Sequence, residues 1–164
     1  MSKAKTLRVY DYVNHPYEAV RQVLSRDPET VFRNATKVAA QRAKTVASEL
    51  HVNIGGIEIG ADIAISVKSV EDQPKKIMMP EMTCLELEWK ASQMPGLFPL
   101  MKAELSIYPL TSTETQLDLL GNYEVPFGVL GSAVNAVVGH RIAEASVHQF
   151  IKDVAVYLRK ELEK

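Results

Sequence analysis

From Ile57 to Lys68, apolar and polar residues take turns. Ile57, Ile59, Ala61, Ile63, Ile65 and Val67 point one way, while Glu58, Asp62, Ser66 and Lys68 point the other. A period of two places successive side chains on opposite faces, so this run predicts an antiparallel strand with one dry and one wet face. The same rhythm returns three times. Leu85, Leu87, Trp89 and Ala91 alternate with Cys84, Glu86, Glu88 and Lys90; Met101, Ala103, Leu105 and Ile107 alternate with Lys102, Glu104 and Ser106; Thr115, Leu117, Leu119, Gly121 and Tyr123 share one face of a last strand. Turn signals separate these runs at Gln73-Pro74-Lys75-Lys76, at Gln93 to Pro99 and at Thr111-Ser112-Thr113. Upstream, Leu7 to Val13 alternates as a first strand, and ELHVNI, turned by Gly55-Gly56, is a short one.

Elsewhere the period is helical. Asn14-His15-Pro16 reads as a helix start, with Asn14 as cap, and YEAVRQVLSR follows with Val20, Val23 and Leu24 on one side. Asp27-Pro28 breaks it. A second helix runs from Pro28 to about Val46, anchored by Val31, Phe32, Val38 and Ala39. Pro126 and Gly128 stop the sheet, and a long helix is expected from about Val129 to Leu162. Its main stripe is Ala133, Val137, His140, Glu144, Val147, Ile151, Val154 and Leu158, with a second apolar face at Val134, Val138, Ile142 and Ala145 in its first half. A sheet with one dry face must cover it, and the long helix is the natural cover. A curved sheet does not press flat on a straight rod, so the pattern also predicts a space between them, suited to a ligand.

Length and charge narrow the functional classes. A chain of 164 residues fits a single domain, 1–164, with one core. Nineteen basic against twenty acidic residues leave no positive excess for nucleic acid. One cysteine, Cys84, rules out an internal disulfide and argues against a thiolate metal site. No run approaches the roughly 20 apolar residues of a membrane span, and MSKAKTLRVYDY is unlike a signal peptide, so a cytoplasmic protein without integral membrane association is expected. No metal and no cofactor are expected: His15, His51 and His148 lack ligand spacing, and GGIEIG has the wrong glycine spacing for a dinucleotide fold and leads into a strand. A homodimer stays open.

Taken together, the early strand with Asn14-His15-Pro16, the GGIEIGADIAISV strand pair and the closing VPFGVLGSAVNAVVGHRIAEASVHQFIKDVAVYL resemble the START-like (SRPBCC, polyketide cyclase/dehydrase-like) superfamily, and small bacterial members most. The resemblance spans essentially the whole chain. It implies an α+β helix-grip fold, a curved antiparallel β-sheet wrapped around a long C-terminal α-helix, with a hydrophobic cavity between them. It does not imply one activity, because the fold hosts binders, carriers and enzymes.

Within such a cavity the candidate ligand-binding residues are His140, Glu144, Arg141, Trp89, Tyr123, Phe127, Val137, Leu87 and Met101. His140 and Glu144 stand one helical turn apart and could anchor a polar group or move a proton. If the second apolar face packs inward instead, they lie at the rim. Arg141 could reach a carboxylate at the mouth, or be solvated. Trp89 and Leu87 are wall or core, and Tyr123 and Phe127 flank the strand-to-helix junction. Met78, Met79 and Met82 cluster with Pro80, and Met94 and Met101 bracket another loop, as gap fillers or an adaptable lid. Glu86, Glu88, Glu104, Asp118 and Cys84 fall on the wet face. No residue is assigned as catalytic. The leading expectation is binding or carriage of a hydrophobic small molecule (a lipid, isoprenoid or polyketide-like compound), rather than an enzyme. The alternatives are a cyclase/dehydratase-type enzyme using His140, Glu144 and Tyr123, and a protein-interaction module using the Met-rich loops or the segment from Ala39 to Ala47.

Overall fold

Alternation becomes strand within residues 5–50, 63–91, 100–124 and 136–164, the parts of the chain that the structure, a computed structural model, describes. Strands β1 (Lys5–Val13), β2 (Ile63–Gln73), β3 (Met82–Ala91), β4 (Leu100–Thr111) and β5 (Glu114–Glu124) form one antiparallel sheet in the order β1-β5-β4-β3-β2. The register carries the dry face across the sheet: Val9, Leu119, Leu105 and Leu85 pair in one row, and Leu7, Gly121, Ala103 and Leu87 in the next. Bulges at Val67/Ser69 and Pro109/Thr111 interrupt the ladders, which bends the strands locally.

Three helices complete the described chain: α1 (Tyr17–Arg26), α2 (Pro28–Glu49) and α3 (Ala136–Leu162). This is the expected α+β helix-grip arrangement, an antiparallel sheet against a long C-terminal helix. α3 does not cover the sheet alone. It lies along β1 and against α2, and α2 in turn lies against β2. Phe150 of α3 joins the layers, stacked on Phe32 of α2 with centroids 6.0 Å apart and edge-on to Trp89 of β3 at 5.0 Å. All three rings are buried.

Several local expectations are corrected. Asn14 is not the cap: Pro16 occupies that place, no side chain caps the helix, and the Pro16 carbonyl accepts from the Val20 amide. α2 continues to Glu49, so Glu49 does not open the short strand; the rest of that strand, and His51, lie outside the described residues. Ala39, Ala40 and Ala43 are buried, so this part of the Ala-rich segment is core, not a free surface. Asp118 lies on the outer face but is buried, because Arg8 grips it with two hydrogen bonds, 3.1 Å from Nε and 2.7 Å from Nη2. Cys84 is likewise buried, 3.6 Å from Ser106 Oγ, and burial pushes its thiol above its ordinary value, which makes it a poor nucleophile.

α1 is held to the sheet by a polar chain. Tyr17 bonds Thr83 through their hydroxyls (2.6 Å), Thr83 donates to Asp72 (2.7 Å), and Arg21 donates to both Asp72 oxygens (3.0 and 2.7 Å). These bonds, Arg21 first, hold the Asp72 carboxyl down at about 2.

Two measurements follow from this packing. Phe150→Ala is expected to cost about 3–5 kcal/mol in urea unfolding, because it removes the ring that both other layers touch. Asp72→Asn is expected to cost about 1 kcal/mol at neutral pH, since solvent screens this half-exposed pair. A depressed carboxyl stabilises the fold above its unfolded value near 4 and loses that contribution as pH falls toward 2, so the gap between wild type and Asp72→Asn should close across that window.

Candidate functional site

The dry face is not uniform along its strands. Toward the Thr83 end it carries Leu105, Ile107, Leu117 and Leu119, all fully buried. Toward the opposite end the row Leu7–Gly121–Ala103–Leu87 has its two smallest residues at the centre. Gly139 and Ala143 on the first turns of α3 are buried too. Beyond that row the face is large again, with Met101 paired to Tyr123 and Trp89 of β3 carrying Phe150 edge-on, so the smallness is a local difference between bulky neighbours.

Met101 fills part of that difference. It pairs with Tyr123 across β4 and β5, and its side chain folds over Gly121: a Cβ on Gly121 would lie 2.7 Å from Met101 Cε. The crowding atom is the far end of a flexible thioether, so the space is movable.

Tyr123 stands beside this spot at the end of β5. It is 1% exposed, yet its hydroxyl has a polar partner, His140 Nδ1, with the two rings stacked at 6.0 Å. His140 Nε2 in turn faces Glu144 Oε2 at 3.7 Å. Burial, and then the charge of Glu144, push the Tyr123 phenol above its ordinary value of 10, so it is protonated at neutral pH. The phenol and His140 Nδ1 share one hydrogen bond, and Nε2 faces the Glu144 carboxylate. A buried phenol is thus wired through a half-exposed ring to an exposed carboxylate, the side chains of His140 and Glu144 being 40% and 50% accessible.

The nine candidates therefore separate. Tyr123, His140 and Glu144 come together, with Met101 beside Tyr123. His140 and Glu144 do not line the interior; they stand at its rim. The buried arc of α3 runs through Ile142, Ala143, Ser146, Val147, Phe150 and Ile151; of the second apolar face, Ile142 turns inward and Ala145 is half-buried, while Val134 and the Val138 side chain lie outside what is described. Arg141 is exposed. Leu87 is fully buried in the dry row, and Trp89 is buried with its indole N–H donated to Thr36 Oγ1 at 3.0 Å, a core position. Phe127 and Met94 lie outside the described residues, and Val137 is described only as part of the α3 backbone. Ala103 and Gly121 were not singled out from sequence as site residues. Their smallness is visible there, but only the register sets them side by side.

Two clefts open elsewhere on the surface. One of about 400 Å³ lies on the outer sheet face among Lys68, Glu86, Glu88, Lys102 and Glu104. The other, about 520 Å³, lies between β1, α2 and α3 beside Arg42, His148, Lys152 and Arg159. Neither includes Tyr123 or His140. Among the described residues no group of side chains could hold a metal ion, and no helix is long and apolar enough to cross a membrane.

No protein-family model matches the chain, and no curated protein does. Solved structures similar to it include the Zhui aromatase/cyclase from Streptomyces sp. R1128 (12% identity, 98% of this chain and 94% of that one, TM-score 0.45). A norcoclaurine synthase point mutant from Thalictrum flavum is similar at 10% identity, 99% and 98% coverage and TM-score 0.46. A third, from Rhizobium leguminosarum, is similar at 9% identity, 98% and 97% coverage and TM-score 0.36.

The relay has a direct readout. Glu144→Gln removes a negative charge that raises the Tyr123 pKa, so the phenol should titrate lower, measured as ultraviolet absorbance against Tyr123→Phe as blank. A raised phenol stabilises the fold fully below pH 10 and loses that contribution as pH rises through its folded value, so Tyr123→Phe should narrow the alkaline loss of stability.

Proposed function

We propose that this protein binds or carries a hydrophobic small molecule, a lipid, isoprenoid or polyketide-like compound, on the dry face beside Gly121 and Ala103. The observation that carries this reading is the buried Tyr123 hydroxyl, joined to His140 and Glu144 beside Gly121, Ala103 and Met101. An apolar ligand body lies along Ala103 and Leu87 after Met101 swings aside. The Tyr123 O–H donates to an oxygen on the ligand while the phenol oxygen accepts from His140 Nδ1–H, so the buried hydroxyl keeps a partner on both sides.

The known structures described above include an aromatase/cyclase and norcoclaurine synthases, and a cyclase/dehydratase-type activity is the second reading. The specific observation in its favour is the same relay, which could pass a proton between ligand and solvent. Binding is preferred because it needs only an apolar hollow and one oriented donor.

Titration with 1-anilinonaphthalene-8-sulfonate as an apolar probe tests the site. Wild type should take up one equivalent, and Ala103→Leu, which fills the hollow, should abolish uptake without lowering the melting temperature. Tyr123→Phe should weaken an oxygen-bearing ligand by roughly tenfold, the worth of one hydrogen bond. Native mass spectrometry of protein purified from its own host should reveal that ligand. Probe uptake indifferent to Ala103→Leu would sink this reading.

A further inference from the structure

The turn between β2 and β3 carries apolar side chains that the core does not use. Gln73 and Met82 close the regular ladder, and beyond them Lys76 and Met79 form an isolated bridge through both of their backbone bonds, 2.9 and 3.3 Å. Ile77 and Met78 sit at the tip of this tight hairpin. They are 101% and 91% exposed, and Met79 behind them is 51% exposed. Met78 and Met79 are therefore neither gap fillers nor a lid over the interior; they project from the molecule, whereas Met82 is half-buried at the start of β3. Fully exposed neighbouring Ile and Met, with Lys75 and Lys76 adjoining them, are unfavourable in water unless something receives them.

We propose that this hairpin docks on an anionic lipid surface, with Ile77 and Met78 entering the headgroup–acyl boundary and Lys75 and Lys76 meeting the lipid phosphates and carboxylates. Three features select a membrane over a protein partner. The tip is convex and only a few residues wide, far short of the roughly 800 Å² per side of a stable protein interface. Its backbone is partly closed behind the tip: Lys76 and Met79 satisfy each other, and Pro74 and Pro80 bring no amide donor, while Ile77 and Met78 keep their peptide groups at the level of the headgroups. Its charge is complementary too, since both lysines are exposed, and among the described residues neither forms an ion pair. Asp72 at the hairpin's base is already held by Arg21, and Glu71 pairs with Cys84 farther down the ladder. This inference does not depend on what occupies the interior. Tyr123 lies at the other end of the strands, so a docked molecule would turn its relay away from the lipid.

Co-sedimentation of the full chain with vesicles tests the proposal. Wild type should bind phosphatidylcholine–phosphatidylserine vesicles at least tenfold more tightly than phosphatidylcholine alone, and the advantage should fall with added salt. Lys75→Gln with Lys76→Gln should erase that tenfold difference. Ile77→Ser with Met78→Ser should remove binding to both vesicles and leave the melting temperature unchanged, since neither side chain is packed. Wild type that stays in solution with anionic vesicles overturns the proposal, as does an Ile77→Ser/Met78→Ser variant that binds as wild type does. Loss of a concentration-dependent dimer in that variant, without vesicle binding by wild type, would assign the tip to a second copy of the chain instead.

Discussion

Phe150 is the contact on which the arrangement of layers depends. A single sheet has one dry face, and here two helices share its cover. Phe150 is the side chain of α3 that reaches both the second helix, at Phe32, and the sheet, at Trp89. Close packing of three rings leaves little freedom for rotation of α3 about its axis. With Phe150 turned in, the buried arc must follow Ala143, Val147 and Val154. His140 and Glu144 are then carried to the edge of that arc, where a polar pair keeps its water.

Side-chain size varies locally on the dry face. Leu85, Leu105, Ile107, Leu117 and Leu119 are fully buried, and Trp89 is closed over by Phe150. Between them Gly121 and Ala103 stand side by side, and the flexible end of Met101 folds over Gly121. The Arg21–Asp72–Thr83–Tyr17 chain reinforces the Thr83 end by fixing α1 to it. At the β1 edge, Arg159 Nη2 donates to the Tyr12 carbonyl at 2.6 Å, which ties the end of α3 to an edge strand that would otherwise offer unpaired backbone groups.

A polar relay at the margin of an apolar interior is the arrangement that electrostatics allows. Wholly inside, the Glu144 carboxylate would cost far more than a hydrogen bond returns. At the rim it keeps solvent contact, and only the uncharged phenol of Tyr123 is fully enclosed. The field of the carboxylate still reaches the phenol and raises its pKa.

By itself the sequence determined the elements and the layering: period-two runs around Leu85, Leu105 and Leu117 can bury only one face, and an amphipathic C-terminal helix must cover it. It also marked Tyr123, His140 and Glu144 as worth watching, because polar residues on an apolar stripe are costly wherever they fall. Which face of α3 turns inward was not legible, since its first half offers two apolar arcs of similar strength, and the choice came from Phe150 packing between Phe32 and Trp89. Nor could one strand's sequence show that Gly121, Ala103 and Met101 meet, that Arg8 buries Asp118, or that Ile77 and Met78 project. Each of these follows from register and from neighbours distant along the chain, and only the assembled sheet and helices decide those.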